Sequence, residues 1–252
     1  ARGQLDVRVA HVLDQFLLND HQGALASNPD PGPQRPLSRE LTDALLAAKR
    51  ARPGLRVLFI TDPINDVYGG DPSPELARLE AGGVEVVRTA LDRLRDSNPA
   101  WSGLWRLLVG WWDGDGRGEG WLPNPLETGP SRVTFRAWAR LLNFKANHRK
   151  VAIADDGSEA GGLVGIVGSA NPHDASSAHS NLALEVRGEG LRPLLDSELE
   201  IARFSGWRGA DLPRSASPAV ADSGIRVRVL TEGAIREALL EQFAAGRAGG
   251  RS

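Results

Sequence analysis

Four residues in the second half of the chain have types and spacing that suit phosphoryl chemistry. His148 is followed two positions later by Lys150, one of only three lysines among 30 basic residues. Ser169 and Asn171 follow in the run Gly168-Ser-Ala-Asn. A neutral imidazole can attack phosphorus, while an ammonium, a hydroxyl and an amide can stabilise phosphoryl oxygens. These residue types at this spacing are therefore candidates for a site that handles a phosphoryl group.

The elements around these residues are expected to bring their side chains together. Residues 150–154 alternate as a strand, so His148 and Lys150 should point to the same face. A second apolar strand, 163–167, ends at Gly168, which lets the backbone come close to a ligand. Ser169 and Asn171 should therefore project from one face at the end of that strand.

The rest of the chain reads as alternating strands and helices, and this order predicts an α/β layered core. Ser38 is expected to cap the first helix, which should stop at Pro53-Gly54. The predicted strands cover one or two segments within 5–18, then 55–60, 84–87, 150–154, 163–167, 181–186 and 225–230, and the predicted helices cover 38–52, 75–80, 191–203 and 234–245.

Residues 90–140 break this pattern and are predicted to be an insertion on the core. Six of the seven tryptophans lie there, and two interpretations stay open. The cluster is either a patch for a membrane interface, which tryptophan favours, or a small satellite core. Its members are Trp101, Trp105, Trp111, Trp112 and Trp121.

Composition limits the chemistry. The chain has no cysteine, which excludes disulfides, thiolate metal sites and cysteine nucleophiles. The five histidines show no ligand spacing, and Arg117 stands where the loop Asp113–Glu119 would need a calcium ligand, so neither metal nor cofactor is expected. A net charge of -2 gives no bulk attraction to nucleic acid. No signal peptide or membrane-spanning segment is seen.

The sequence from His148 to Asn171 contains the pattern H-x-K-x4-D followed by G-S-x-N. This motif resembles the signature of the phospholipase D superfamily. The runs Asn147–Lys150, Thr61–Gly70 and Gly168–Asn181 are similar to the bacterial cardiolipin-synthase-like branch. The resemblance implies a layered α-β-α fold with a mixed sheet flanked by helices. It also implies two similar halves: residues 1–205 as the first, 206–224 as a linker, and 225–252 as the start of a truncated second half.

The resemblance also implies roles for individual residues. His148 would be the nucleophile or the leaving-group acid. The phosphate would be bound by Lys150, Ser169 and Asn171. Asp155, the third motif residue, would hold its hairpin more than touch substrate. The gap between Asp155 and Gly168 is longer than usual in the family. Relatives orient the histidine with an acidic residue before the next strand, and the candidates here are Asp174, His179 and Glu185.

The expected function is phospholipid hydrolysis or phosphatidyl transfer through a phosphohistidine. The alternatives are a superfamily nuclease acting as a dimer and an inactive half-domain. Expected partners are a phospholipid, a second motif-bearing half from the same full-length chain or from a homodimer mate, and peripherally a membrane; nucleic acid is not expected. The chain has no methionine and begins Ala-Arg-Gly, which suggests a fragment. The expected location is the bacterial cytoplasm or the periphery of the inner membrane.

Overall fold

A computed structural model describes residues 10–15, 17–18, 35–111, 120–126, 131–155, 162–209, 229–231 and 233–249. In these residues the chain forms a mixed α/β fold. The strands are β1 Ala10–Gln15, β2 Arg56–Thr61, β3 Glu85–Arg88, β4 Leu122–Pro123, β5 Arg132–Val133, β6 Lys150–Asp155, β7 Leu163–Gly168 and β8 Ala183–Arg187. The α-helices are α1 Leu37–Ala51, α2 Pro74–Ala81, α3 Pro99–Leu108, α4 Phe135–Leu141, α5 Arg192–Phe204 and α6 Gly233–Gly249.

The main sheet has six strands in the order β3-β2-β1-β6-β7-β8. The first three strands run parallel to one another, whereas β6 is antiparallel to β1, and β7 and β8 continue antiparallel. This register places Gln15, at the end of β1, between Thr61 of β2 and Lys150 of β6. The ends of the parallel strands and the start of β6 therefore share one edge of the sheet.

Both faces of the sheet are covered by helices because its central strands are apolar on both sides. On one face, Phe59 of β2 packs in a cluster with leucines of α1 and α2. On the other, Val12 and Ile60 pack against α5, and Val151 and Ile153 pack against Leu191 and Leu194 where α5 begins. The predicted α/β layered fold, with a mixed sheet flanked by helices, is confirmed.

The tryptophan-rich segment lies outside the main sheet. It contains α3, α4 and the two-stranded sheet of β4 and β5. Trp105 is only 7% exposed, and Trp138 packs against a small core of Val67, Tyr68, Val133 and Ala137. Trp111 and Trp121 are instead 69% and 75% exposed. The cluster thus divides into a packed part and an exposed part, while Trp112 lies outside the described residues.

Two local expectations were wrong. Ser38 does not cap α1, which begins one residue earlier; its backbone N–H and hydroxyl both donate to Asp174 Oδ1, at 3.1 and 2.9 Å. Trp207 lies in the predicted linker, yet it is buried in the core and its indole N–H donates to Glu85 at 2.8 Å. A tryptophan whose indole N–H has a hydrogen-bond partner in the protein is more stable packed in the core than exposed to water.

Most of the remaining predicted elements agree with the structure or fall outside it. Apart from the strand predicted at 225–230, the other predicted strands and helices appear within a few residues of their expected bounds. Residues 229–230, the described part of that predicted strand, are not in a strand, so the prediction is wrong there. Residues 1–9, most of the linker, residues 225–228 and the loop Asp113–Glu119 lie outside the described residues. Among the helices that the structure describes, none has the length and apolar character needed to cross a bilayer.

Candidate active site

His148 and Lys150 come together at the sheet edge where β6 begins. The Lys150 ammonium lies 3.2 Å from His148 Nδ1 and 3.3 Å from Nε2, and it also donates to the His148 carbonyl oxygen at 3.1 Å. The ammonium therefore lies against the imidazole ring, in the arrangement expected from the alternation of β6.

Electrostatics favours the neutral imidazole. Partial burial and then the Lys150 charge lower the pKa of His148 below its ordinary value. Burial also lowers the pKa of Lys150, and the nearby Asp14 opposes that change. A histidine held neutral keeps the nitrogen lone pair that an attack on phosphorus requires.

Asn147, immediately before His148, is held by two buried aspartates. Its backbone N–H donates to Asp62 Oδ2 at 2.7 Å. Its side-chain amide lies 2.9 Å from both carboxyl oxygens of Asp14 and 3.0 Å from the hydroxyl of Thr89. All four residues are buried, so these hydrogen bonds are shielded from water and fix the backbone that leads into the histidine.

Arg149, immediately after His148, is held by a third buried carboxyl. Its guanidinium lies 3.3 Å from Glu198 Oε2, and Glu198, on α5, is fully buried. Asp14 lies beside Glu198. Burial, and then the neighbouring Glu198 charge, raise the pKa of Asp14 well above its ordinary value. Asp14 therefore favours its neutral form more than an exposed aspartate does.

The other carboxyl oxygen of Glu198, Oε1, is buried and has no hydrogen-bond donor among the described residues. The residues on both sides of His148 are therefore each held by a buried carboxyl: Asn147 by Asp14, and Arg149 by Glu198. We name Asp14, Glu198, Asn147 and Arg149 the buried clamp.

The segment Thr61–Gly70, which contributed to the family resemblance, supports the same edge. Asp62 Oδ1 accepts the backbone N–H of Ile64 at 2.8 Å, and burial raises the pKa of Asp62 to about 6. Asn65 accepts the N–H of Leu18 and donates to Thr61 Oγ1. This segment therefore joins the ends of β1 and β2 beside Asn147.

The predicted phosphate ligands occupy different environments. The Ser169 hydroxyl donates to Asn181 Oδ1 at 3.1 Å and accepts the N–H of Leu182 at 3.0 Å, so it already bridges β7 and the approach to β8. Asn171 is half-buried, and its Oδ1 has no hydrogen-bond donor among the described residues.

The three candidates for orienting His148 make their described hydrogen bonds elsewhere. Asp174 binds the start of α1 through Ser38. Glu185 is exposed and accepts from Arg187 at 2.8 Å. His179 is exposed, and its carbonyl oxygen accepts from Asn181 at 2.9 Å.

Asp155 occupies the far end of β6. It pairs with Leu163, where β7 begins, and it lies five positions after Lys150 along the strand. That separation is about 17 Å along an extended chain. The position suits the role expected for Asp155, which is to support the β6–β7 hairpin.

Sequence reasoning missed the buried carboxyls and Thr89. Two signals pointed to them. Asp14 interrupts the apolar run of β1, and Glu198 lies four residues after Leu194, on the face of α5 that packs against the sheet. A carboxyl at a core position needs a partner, and that need marks it as a candidate site residue.

A cleft of about 820 Å³ opens beside the histidine. Its lining includes His148 and Lys150, here called its floor, together with Ser197 of α5. Another part of the lining is apolar and comes from α6. This part, here called its apolar wall, consists of Ile235, Leu239, Leu240 and Phe243. The cleft thus joins a cationic end to an apolar wall.

Within the described ranges, no group of three or more histidine or acidic side chains could hold a metal ion. No protein-family model, curated protein or solved structure matches this chain. The site is therefore interpreted from its own geometry.

Proposed function

We propose that this chain is a phospholipase D-type phosphodiesterase or phosphatidyltransferase that acts on phospholipids through a phosphohistidine. The observation that carries the proposal is the Lys150 ammonium lying 3.2–3.3 Å from both ring nitrogens of His148. The pairing supports a neutral nucleophile with a cation at the place where phosphoryl charge develops. The motif resemblance supports the same chemistry.

In the proposed reaction, His148 attacks the phosphorus, and a nitrogen–phosphorus bond forms as the bond to the departing alcohol oxygen breaks. That oxygen takes a proton from an acid. Water or a second alcohol then attacks the phosphorus and gives up its proton, and the nitrogen–phosphorus bond breaks to restore the imidazole. Lys150 binds the phosphoryl oxygens, and the Asn171 amide contributes a further hydrogen bond.

A second half of similar type is proposed to supply the acid. A single histidine cannot attack and protonate the leaving group in the same step. We propose that residues 225–252 begin that second half, so the isolated chain has little turnover.

The cleft favours a phospholipid over other phosphodiesters. Its apolar wall on α6 suits acyl chains, and its cationic floor suits the phosphate. The net charge of -2 gives no general attraction for nucleic acid. A bacterial cytoplasmic or inner-membrane-peripheral location accompanies this proposal.

The test is chemical trapping of the intermediate. The chain, alone and with its second half, is incubated with phosphatidylglycerol labelled in its phosphate and quenched within milliseconds to seconds. We expect acid-labile label on the chain, lost in His148→Asn and retained in His173→Asn, the matched histidine control. An active two-half enzyme without label on this chain would make His148 the leaving-group acid. Absence of both label and phospholipid turnover would refute the proposal, and cleavage of DNA instead would identify a nuclease.

A further inference from the structure

The outer face of α3 is apolar although it faces solvent. Leu104, Leu107, Leu108 and Trp111 follow one another at the spacing of a single helical face, and they are 44%, 71%, 53% and 69% exposed. The opposite face of the helix buries Ser102 and Trp105. We name these four exposed side chains the α3 ridge.

The ridge is ordered by its own contacts. Trp111 lies just beyond the end of α3, and its indole N–H donates to the carbonyl oxygen of Leu107 at 2.9 Å. On the inner side, the indole of Trp101 donates to Ala139 of α4 at 3.1 Å. The helix is therefore attached to the insertion while its leucines project outward. Contiguous exposed apolar side chains of this kind mark an interaction surface.

A cationic cleft lies directly beside the ridge. It has a volume of about 400 Å³ and shares Trp111 with the ridge. Its charged lining residues are four basic side chains, Arg106, Arg136, Arg140 and Lys145, and one acidic side chain, Asp92. Lys145 and Arg106 both pair with Asp96, at 2.7 and 2.9 Å. Arg136 lies 5.3 Å from the centre of the Trp105 ring. We name this feature the arginine cleft.

We propose that the α3 ridge and the arginine cleft together form a docking surface for an anionic phospholipid membrane. Leucine and tryptophan side chains insert at the boundary between headgroups and acyl chains, and arginines beside them bind lipid phosphates. The two features match the two layers of such an interface: an outward apolar row, and positive charge immediately next to it.

The position of this surface suits delivery of a membrane lipid to the proposed catalytic histidine, so the inference rests on the proposed function. Asn143, in the arginine cleft, precedes His148 by five residues. Even a fully extended chain spans at most about 18 Å over that distance. The part of the arginine cleft formed by Asn143 therefore lies within about 18 Å of the backbone of His148.

The test measures sedimentation of the full chain with vesicles, which requires no turnover. We expect the chain to bind vesicles of equal phosphatidylglycerol and phosphatidylcholine more tightly than pure phosphatidylcholine vesicles, and to lose that preference in high salt. Leu107→Ser with Leu108→Ser should weaken binding about tenfold for each leucine removed from the interface. Arg140→Gln should weaken it about fivefold, on anionic vesicles alone.

The controls distinguish vesicle binding at this surface from non-specific adsorption and from catalysis. Leu182→Ser removes a leucine that is 81% exposed elsewhere, and Arg50→Gln removes an exposed arginine at the end of α1; both should bind like the parent chain. His148→Asn should also bind normally. Hydrolysis of a short-chain, non-vesicular phosphatidylglycerol by the two-half protein tests the chemistry without the membrane, so either proposal can fail alone.

Two results would overturn the docking proposal. One is that the parent chain does not bind vesicles, or that the double leucine variant binds them as tightly as the parent. In the latter case, circular dichroism must show that the variant is folded. The other is self-association, or association with the second half, that depends on the α3 ridge and leaves no free ridge for lipid. In that second case the ridge is a protein interface.

Discussion

Asp62 makes the stability of this fold depend on pH in a direction that can be calculated. Its carboxyl is fully buried, and burial raises its pKa from the ordinary value of 3.8 to about 6, against two backbone N–H donors that lower it. The native state therefore binds the Asp62 proton more tightly than the unfolded state does. The contribution of Asp62 to stability is therefore fully present below pH 3.8 and is lost as the pH rises through about 6. The difference between the two pKa values corresponds to about 3 kcal/mol.

The assay is urea unfolding of the parent chain and of Asp62→Asn at half-unit steps from pH 4 to pH 8. The amide is a neutral substitute for the protonated carboxyl, so the variant avoids the cost of a buried charge. The difference in unfolding free energy should shift by about 2.4 kcal/mol in favour of the variant between pH 4 and pH 8, because the unfolded-state carboxyl is already more than half ionised at pH 4. His148, whose lowered pKa acts in the opposite direction, is present in both chains and cancels.

Two results would refute the reasoning about Asp62. One is a difference between parent and variant that stays constant with pH, and the other is a difference that favours the parent as pH rises. Asp196→Asn is the matched control, because it removes an exposed carboxylate from α5, where the side chain is hydrated in both states. A pH trend of equal size in the control would show that the effect does not come from burial.

Two further variants test the site itself. Lys150→Met removes a charge that lowers the pKa of His148, so an NMR titration of the imidazole should give a higher pKa than in the parent; an unchanged or lower value would contradict the electrostatic assignment. Asn147→Ala leaves the buried Asp14 without its amide donor and should cost about 2–4 kcal/mol in urea unfolding. Asn143→Ala, which loses a half-buried hydrogen bond with Ser102, should cost clearly less, and equal losses would count against the buried clamp.

The sequence predicted most of the layered fold because its signals are local. Apolar runs bounded by glycine and proline marked β2, β3, β6 and β7, and helical spacing marked α1 and α5. The pairing of His148 with Lys150 was also local, since strand alternation alone places two side chains that are two residues apart on one face.

The residues that sequence reasoning missed depend on contacts between distant parts of the chain. Asn147 and Asp14 are 133 positions apart, and Asp174 and Ser38 are 136 apart. Nothing in either local pattern specifies such a pair. The error at Ser38 shows why: a serine at a helix start predicts a cap, but the carboxylate of Asp174, distant in sequence, accepts both the N–H and the hydroxyl of Ser38.

The buried clamp bears on where the leaving-group proton of the proposed reaction comes from. Asp14 and Glu198 form a carboxyl pair close to His148, and burial raises the pKa of Asp14, so the pair resembles a catalytic acid. Both are fully buried, however, and they bind Asn147 and Arg149, so a departing alkoxide cannot reach them. Their position suits holding the backbone of His148 rigid while the imidazole turns toward the cleft. The acid must then come from outside this set, and a second half facing the same cleft is the source that the proposed chemistry requires.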